Sequence, residues 1–269
     1  MKIYGIDLTS RPKRSKPITC LCAYLDGNTL YAGELKKWTS FKEFENALQE
    51  PGPWIAGIDF PFGQSRTFIE NIDWPRSWAS YVEHVSRMSR LEFRQALEKY
   101  KANRAPGDKE HKRRSDTKAA SISPQKIYGV PVGLMFFEGA PRLLESGVTI
   151  PHLQEGDPQR IVVEAYPGVL ARSLIERRSY KNDTKSKQTD DQLKARHDIL
   201  HKITSGALIE THNLNVSAPQ SLADDPGADT LDALLCAIQS AWAWSKRDEG
   251  YGAPKDLDRL EGWIADPGC

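Results

Sequence analysis

At 269 residues, with 39% hydrophobic and 27% charged side chains, the chain has the length and composition to bury a sizeable core, which excludes fibrous and disordered polymers. Its 37 basic and 36 acidic residues leave a net charge of +1, so any attraction for a polyanion must come from local clustering rather than a global field. The amino terminus enters a strand-like run at once without a secretory signal, and no stretch approaches the roughly 20 apolar residues of a membrane span; a cytoplasmic protein with no membrane partner is expected.

Residues 2–8 predict a buried strand, 18–25 and 28–35 a hairpin around Asp26-Gly27-Asn28, 40–49 a short helix, and Trp54 to Asp59 a further apolar strand. From Ser77 to Tyr100, apolar residues recur near helical spacing, as one long helix or two shorter ones, closed by Pro106-Gly107. The stretch Lys99–Lys118 is the most charged of the chain and predicts an exposed loop. Helices follow over 131–145 and Gly168–Arg178, with a strand at Arg160–Ala165 between them and Pro167 near the first turn of the second helix. Thr189–Thr204 is a helix with Thr189 and Gln192 as a capping box and Gly206 as its C-terminal cap. The last helix runs from Pro226 to Lys246, with Asp225 as N-cap and Pro226 as N1. With no repeat or long linker, these elements make one α/β domain over 1–269, a mixed central sheet flanked by helices with a helical and charged insertion at about 64–128, after the fourth strand.

Three of the predicted strands place a carboxylate after an apolar run: Asp7, Asp59 and Glu164. A strand apolar at successive positions is buried on both faces, so a charge at its end lies beside the core and needs a partner, a proton or a metal ion. The last helix has no charged residue from Ala233 to Ser245, yet it opens with Asp229 and Asp232, three apart and on one face. Along that face Ala233, Cys236 and Ser240 are small enough for the helix to lie close to a sheet and deliver both carboxylates to the strand ends. Taken singly each acid has an ordinary reading: Asp7 and Asp59 as turn caps, Asp229 as a helix-terminus charge, Glu164 as an arginine partner. Taken together they form the oxygen-only donor set that Mg2+ or Mn2+ prefers.

The motifs Gly5-Ile6-Asp7-Leu8-Thr9, Gly57-Ile58-Asp59-Phe60-Pro61-Phe62-Gly63, Arg114-Ser115-Asp116, Glu164-Ala165-Tyr166-Pro167, Asp229-Thr230-Leu231-Asp232-Ala233-Leu234 and Glu261-Gly262-Trp263-Ile264, in that order, resemble the DUF429 family of predicted ribonuclease H-like nucleases across nearly the whole chain. The resemblance implies a ribonuclease H-like fold in which Asp7, Asp59, Asp229 and Asp232 bind metal, with Glu164 completing the catalytic set or touching substrate. The implied activity is Mg2+- or Mn2+-dependent phosphodiester hydrolysis of nucleic acid, DNA or RNA. The first motif continues as Thr9-Ser10-Arg11-Pro12, without a glycine-rich phosphate turn.

Arg113, Arg114 and Lys118 are candidate phosphate contacts, with Arg114 and Asp116 as a mobile element reaching the site; the alternative is a solvated charged loop. Trp74 and Trp78 are read as core rather than as base-stacking surfaces. His197 and His201 lack the glutamate of a zinc protease, no serine sits in an esterase elbow, and no Walker loop is present. Cys20, Cys22, Cys236 and Cys269 form no paired Cys-x-x-Cys set and are read as reduced structural thiols. Two other functions fit the same fold: a catalytically idle module that binds nucleic acid or a protein partner and uses its carboxylates in ion pairs, and an ATP-handling protein, for which the sequence shows neither a duplicated unit nor a phosphate loop.

Overall fold

Strand β1 (Lys2–Asp7) alternates Ile3 and Gly5 toward one side with Tyr4 and Ile6 toward the other, so both of its faces meet packed layers and it takes a central place in the sheet. The computed structural model describes residues 1–182 and 184–269. β2 (Ile18–Asp26) and β3 (Thr29–Trp38) form the expected hairpin, with Gly27 at φ +55° in its turn. α1 (Phe41–Leu48) starts from a Ser40–Glu43 capping box and leads to β4 (Trp54–Asp59). Then come α2 (Arg66–Asn71), α3 (Trp78–Ser86), α4 (Arg90–Ala102), α5 (Arg114–Lys118) and α6 (Val132–Ser146), the last ended by Gly147 in the left-handed conformation. β5 (Val148–Thr149), β6 (Asp157–Ala165), α7 (Pro167–Ile175), α8 (Asp190–Thr204), α9 (Ile209–His212), β7 (Asn215–Ser217) and α10 (Asp229–Ser245) complete the fold.

The sheet has seven strands in the order β5-β6-β4-β1-β2-β3-β7. β2 runs antiparallel to β1 and β3, and the other neighbours are parallel. One core joins the Ile3, Ile55 and Val163 face of the sheet to α7, α8 and α10; the second joins the Ile6, Ile58 and Val162 face to α1, α3, α4 and α6. This is an α/β architecture with a mixed sheet flanked by helices, consistent with a ribonuclease H-like fold. Among the described residues no helix is long and apolar enough to cross a membrane.

The apolar run from 77 to 100 takes the two-helix form of the two that the sequence allowed, because Ser89 forms a capping box with Glu92 and starts a new helix after α3. The structure departs from the sequence reading at two places. The charged stretch 99–118 is an exposed loop only over 103–112: its first residues finish α4, its last form α5, and Arg113, Ser115 and Asp116 are buried. Finally, α10 begins at Asp229 rather than Pro226, since Ala228 at φ +61° breaks the helical path. Asp225 still serves the helix from upstream by accepting hydrogen bonds from the backbone N–H groups of Gly227 and Asp229 at 3.1 and 2.9 Å. Trp74 and Trp78 are core residues, as expected, leaving their rings no free face for stacking.

Candidate functional site

Two glycines set the position of α10 on the sheet. Gly5 and Gly57 are register partners on the parallel pair β1 and β4. A Cβ on Gly5 would collide with the Ala233 carbonyl and come within 2.8 Å of the Ala237 Cβ; one on Gly57 would lie 2.5 Å from the Cys236 carbonyl and 2.8 Å from Ser240 Oγ. The small stripe of the helix therefore seats in a notch with no side chains on the strand side. Two residues along each strand, on the same face, are Asp7 and Asp59, again register partners and one strand spacing of about 4.8 Å apart. One turn back along α10 from Cys236 is Asp232, fully buried. Aspartates from positions 7, 59 and 232 thus meet at the C-terminal ends of two strands.

Their charge is only partly balanced. Asp232 accepts a hydrogen bond from the Tyr180 hydroxyl at 2.8 Å on one oxygen and from the Lys181 ammonium on the other. Lys181 has a 42% exposed side chain whose head reaches into the cluster, and it is also drawn by Asp7 and Asp59. Burial, then the Asp232 charge, holds Asp7 well above the usual carboxylate range, with Lys181 opposing. Burial also raises Asp59 to about 7, against Lys181 and with Asp232 and Glu164. Asp232 itself is raised by burial despite its two donors. Asp229 lies at the cavity edge, 2.7 Å from Lys16 Nζ.

A pH dependence follows. With folded-state values above the usual 3.8, these carboxyls hold protons that the unfolded chain has already released, so stability contributed by the cluster is greatest below about pH 4 and is lost as the pH rises through about 7. In chelator, Tm should fall across this window more steeply than in Asp59→Asn; identical slopes would show that the cluster is already charge-balanced.

Glu164 lines the same cavity as Asp7 and Asp59 but reaches it from the other side of the sheet. It pairs in register with Ile58, one residue out of phase with Asp59, so it belongs to the opposite face of the sheet, with Val162. Both its oxygens are engaged there: Oε1 accepts from Arg113 Nη2 at 2.5 Å, and Oε2 accepts from Arg113 Nη1 at 2.7 Å and from Phe62 N at 2.8 Å. Burial raises its carboxyl and Arg113 partly offsets this. The arginine-partner reading of Glu164 is the one its hydrogen bonds match.

Arg113 also lines the cavity, but its guanidinium is 1% exposed and every one of its N–H groups is engaged within the protein. Nε and Nη2 donate to Asp116 at 3.0 and 2.9 Å, both Nη atoms donate to Glu164, and Nη1 also donates to the Glu261 carbonyl at 3.2 Å. Asp116 is likewise internal, accepting also from Arg113 N and from Ser121 Oγ. Burial opposes its charge, but Arg113 holds its carboxyl below the usual range. Arg114 and Lys118 are exposed outside the cavity lining, each 3.8 Å from Asp256. Glu261 caps α2 and α5 together, accepting from Arg66 N at 2.8 Å and Arg114 N at 2.9 Å.

Above the aspartates opens a cavity of about 1150 Å³. Arg11, Lys13, Lys16, Lys181 and Lys185 line it on the side of the β1–β2 and α7–α8 connections, and Ile122, Val130, Val132 and Met135 line it on the side of the segment entering α6. Tyr180, Lys181 and this basic side were not among the residues singled out in the sequence. The only signal available for Lys181 was the demand of buried carboxylates for a counter-charge, since its contact with Asp232 spans 51 residues of chain.

Among the described residues, no group of three or more His, Cys, Asp or Glu side chains is drawn together as a metal cage. The donor chemistry nonetheless suits a hard divalent cation: Asp7, Asp59 and Asp232 offer oxygens alone, and the thiol of neighbouring Cys236 is kept protonated by burial and by these carboxylates. The counter-charge present at Asp232 is the Lys181 ammonium.

No curated protein and no solved structure matches this chain. One family model does, that of the protein of unknown function DUF429, over residues 5–259, a span that includes Asp7, Asp59, Asp229 and Asp232 as well as the glycine notch. The chain belongs to the DUF429 family.

Proposed function

We propose that this protein is a phosphodiester hydrolase that acts on nucleic acid and depends on Mg2+ or Mn2+ held by Asp7, Asp59 and Asp232, with Asp229 at the edge. One observation carries the reading: Asp7 and Asp59 line the cavity, Asp232 is buried against them, and the three share the Lys181 ammonium, an excess of buried negative charge that a divalent cation would neutralise. When bound, such an ion supplies Lewis acidity and an activated water for in-line displacement at phosphorus. The chain's own contribution is positioning. The glycine notch fixes the carboxylate spacing through the backbone, and Tyr180 orients Asp232 through a hydrogen bond on the oxygen that Lys181 leaves free.

The test is cleavage of single-stranded, duplex, hybrid and branched substrates with Mg2+ or Mn2+ present and then chelated. Asp7→Asn should lower the rate about a thousandfold or more, the loss of several kcal/mol of charge stabilisation. Activity that survives Asp7→Asn, or persists in chelator, overturns the reading.

The Lys181–Asp232–Tyr180 arrangement favours a second reading, a binding module in which the carboxylates are consumed in internal ion pairs. That protein would bind nucleic acid or a protein partner without turnover, and divalent cation would leave its Tm unchanged.

A further inference from the structure

The two sides of the cavity differ in chemistry. Arg11 and Lys13, on the β1–β2 connection, and Lys185, just before α8, are exposed residues that line one side and make no ion pair among the described residues. On the side of the segment entering α6 the lining is Ile122 and Val130, 40% and 51% exposed, and Val132. Together they give the cavity an apolar strip beside its carboxylates, suited to a weakly hydrated ligand surface. The ring of Tyr128, 61% exposed, directly precedes the cavity-lining Gly129.

We propose that the cavity takes an unpaired nucleic-acid strand, its sugar-phosphate chain along Arg11, Lys13 and Lys185 and its bases against Ile122, Val130 and Val132. This rests on the nucleic-acid reading above and narrows it to a strand class. An unpaired strand carries its charge along one edge and uncharged, flat, weakly hydrated bases along the other, which matches one basic side and one apolar side. A duplex stacks its bases inside and shows phosphates to both sides of any groove it enters, so it would leave the aliphatic side facing charge. The cavity volume, about 1150 Å³, is at the upper end for small-ligand pockets and leaves room for more than one nucleotide unit.

Fluorescence anisotropy in chelator, where cleavage is absent, tests the proposal. A labelled 20-nucleotide DNA or RNA strand should bind at least about tenfold more tightly than the blunt duplex of the same sequence. The combined variant Arg11→Gln, Lys13→Gln, Lys185→Gln should weaken strand binding and flatten the dependence of log K on log salt by about 2, or 0.7 for each lost phosphate contact. Ile122→Ser with Val130→Ser should weaken binding fivefold or more while leaving that salt slope unchanged. All the altered side chains are exposed, so folding is preserved and circular dichroism confirms it. Equal affinity for duplex, an unaltered salt slope in the triple variant, or equal displacement of the strand by polyglutamate overturns the proposal. The outcomes are separable from those for the hydrolase: a protein that cleaves and prefers duplex keeps the hydrolase and loses the strand assignment, and one that selects single strands without cleaving them does the reverse.

Discussion

Arg113→Ala is expected to cost about 3–5 kcal/mol of stability, the range measured when one member of a buried ion network is removed, and to lower Tm by roughly 10 °C. The reason lies in what remains. Asp116 and Glu164, 2% and 4% exposed, would keep their charges with the central donor gone, or take up protons and lose their hydrogen bonds. Three separate parts of the chain lose their junction at once: the start of α5, the end of β6, and the Glu261 backbone. Arg113→Lys should recover only a fraction, because an ammonium has three donors and no planar fork, whereas this site engages two carboxylates side-on. Urea unfolding at pH 7 measures both variants. A cost for the alanine variant below about 1 kcal/mol would show that water enters and serves the two acids equally well.

Gly5→Val should be nearly as damaging, with a loss of about 3 kcal/mol, the upper end for an overpacked core. The obstacle at this position is backbone: the Ala233 carbonyl and the Ala237 nitrogen face the added carbon, and a helix buried from Thr230 to Ala243 has no free side toward which to retreat. The same change separates Asp232 from Asp7, so on the proposed function it should weaken Mg2+ or Mn2+ binding, followed by calorimetry, even under conditions where the variant remains folded. Gly57→Val should behave alike, since Cys236 and Ser240 press on it. A Gly5→Val protein with native Tm and native metal affinity would mean that α10 slides freely on the sheet.

Much of the frame was legible because its signals are local. Apolar runs marked β1, β4 and β6; the Thr189–Gln192 box marked the start of α8; and the small stripe Ala233, Cys236 and Ser240 announced the close approach of α10. The receiving half of that contact, Gly5 and Gly57, was present within the quoted motifs but reads as a notch only when β1 and β4 are known to be register partners. Glu164 shows the same limit. Its position at a strand end is visible in sequence, but the face it points to depends on a register offset of one residue, which hydrophobicity cannot report for a strand apolar on both sides. Arg113 and Asp116 lay in a stretch whose average charge suggested exposure; burial there follows from pairing with Glu164, 51 residues away. The short elements α2, α9, β5 and β7 hold too few residues for a period to emerge.

The notch has a consequence for how this molecule can change. The three aspartates are spaced by main chain locked between two cores, while much of the cavity lining above them, such as Thr9, Arg11, Ile122, Val130, Lys185 and Gln188, sits in connections outside both cores. On the proposed function, reaction chemistry and ligand preference would therefore be written in separable stretches of polymer. Descendants of this scaffold can acquire new specificities by loop drift alone, provided that two hydrogen atoms, where any other residue would carry a side chain, are retained at positions 5 and 57.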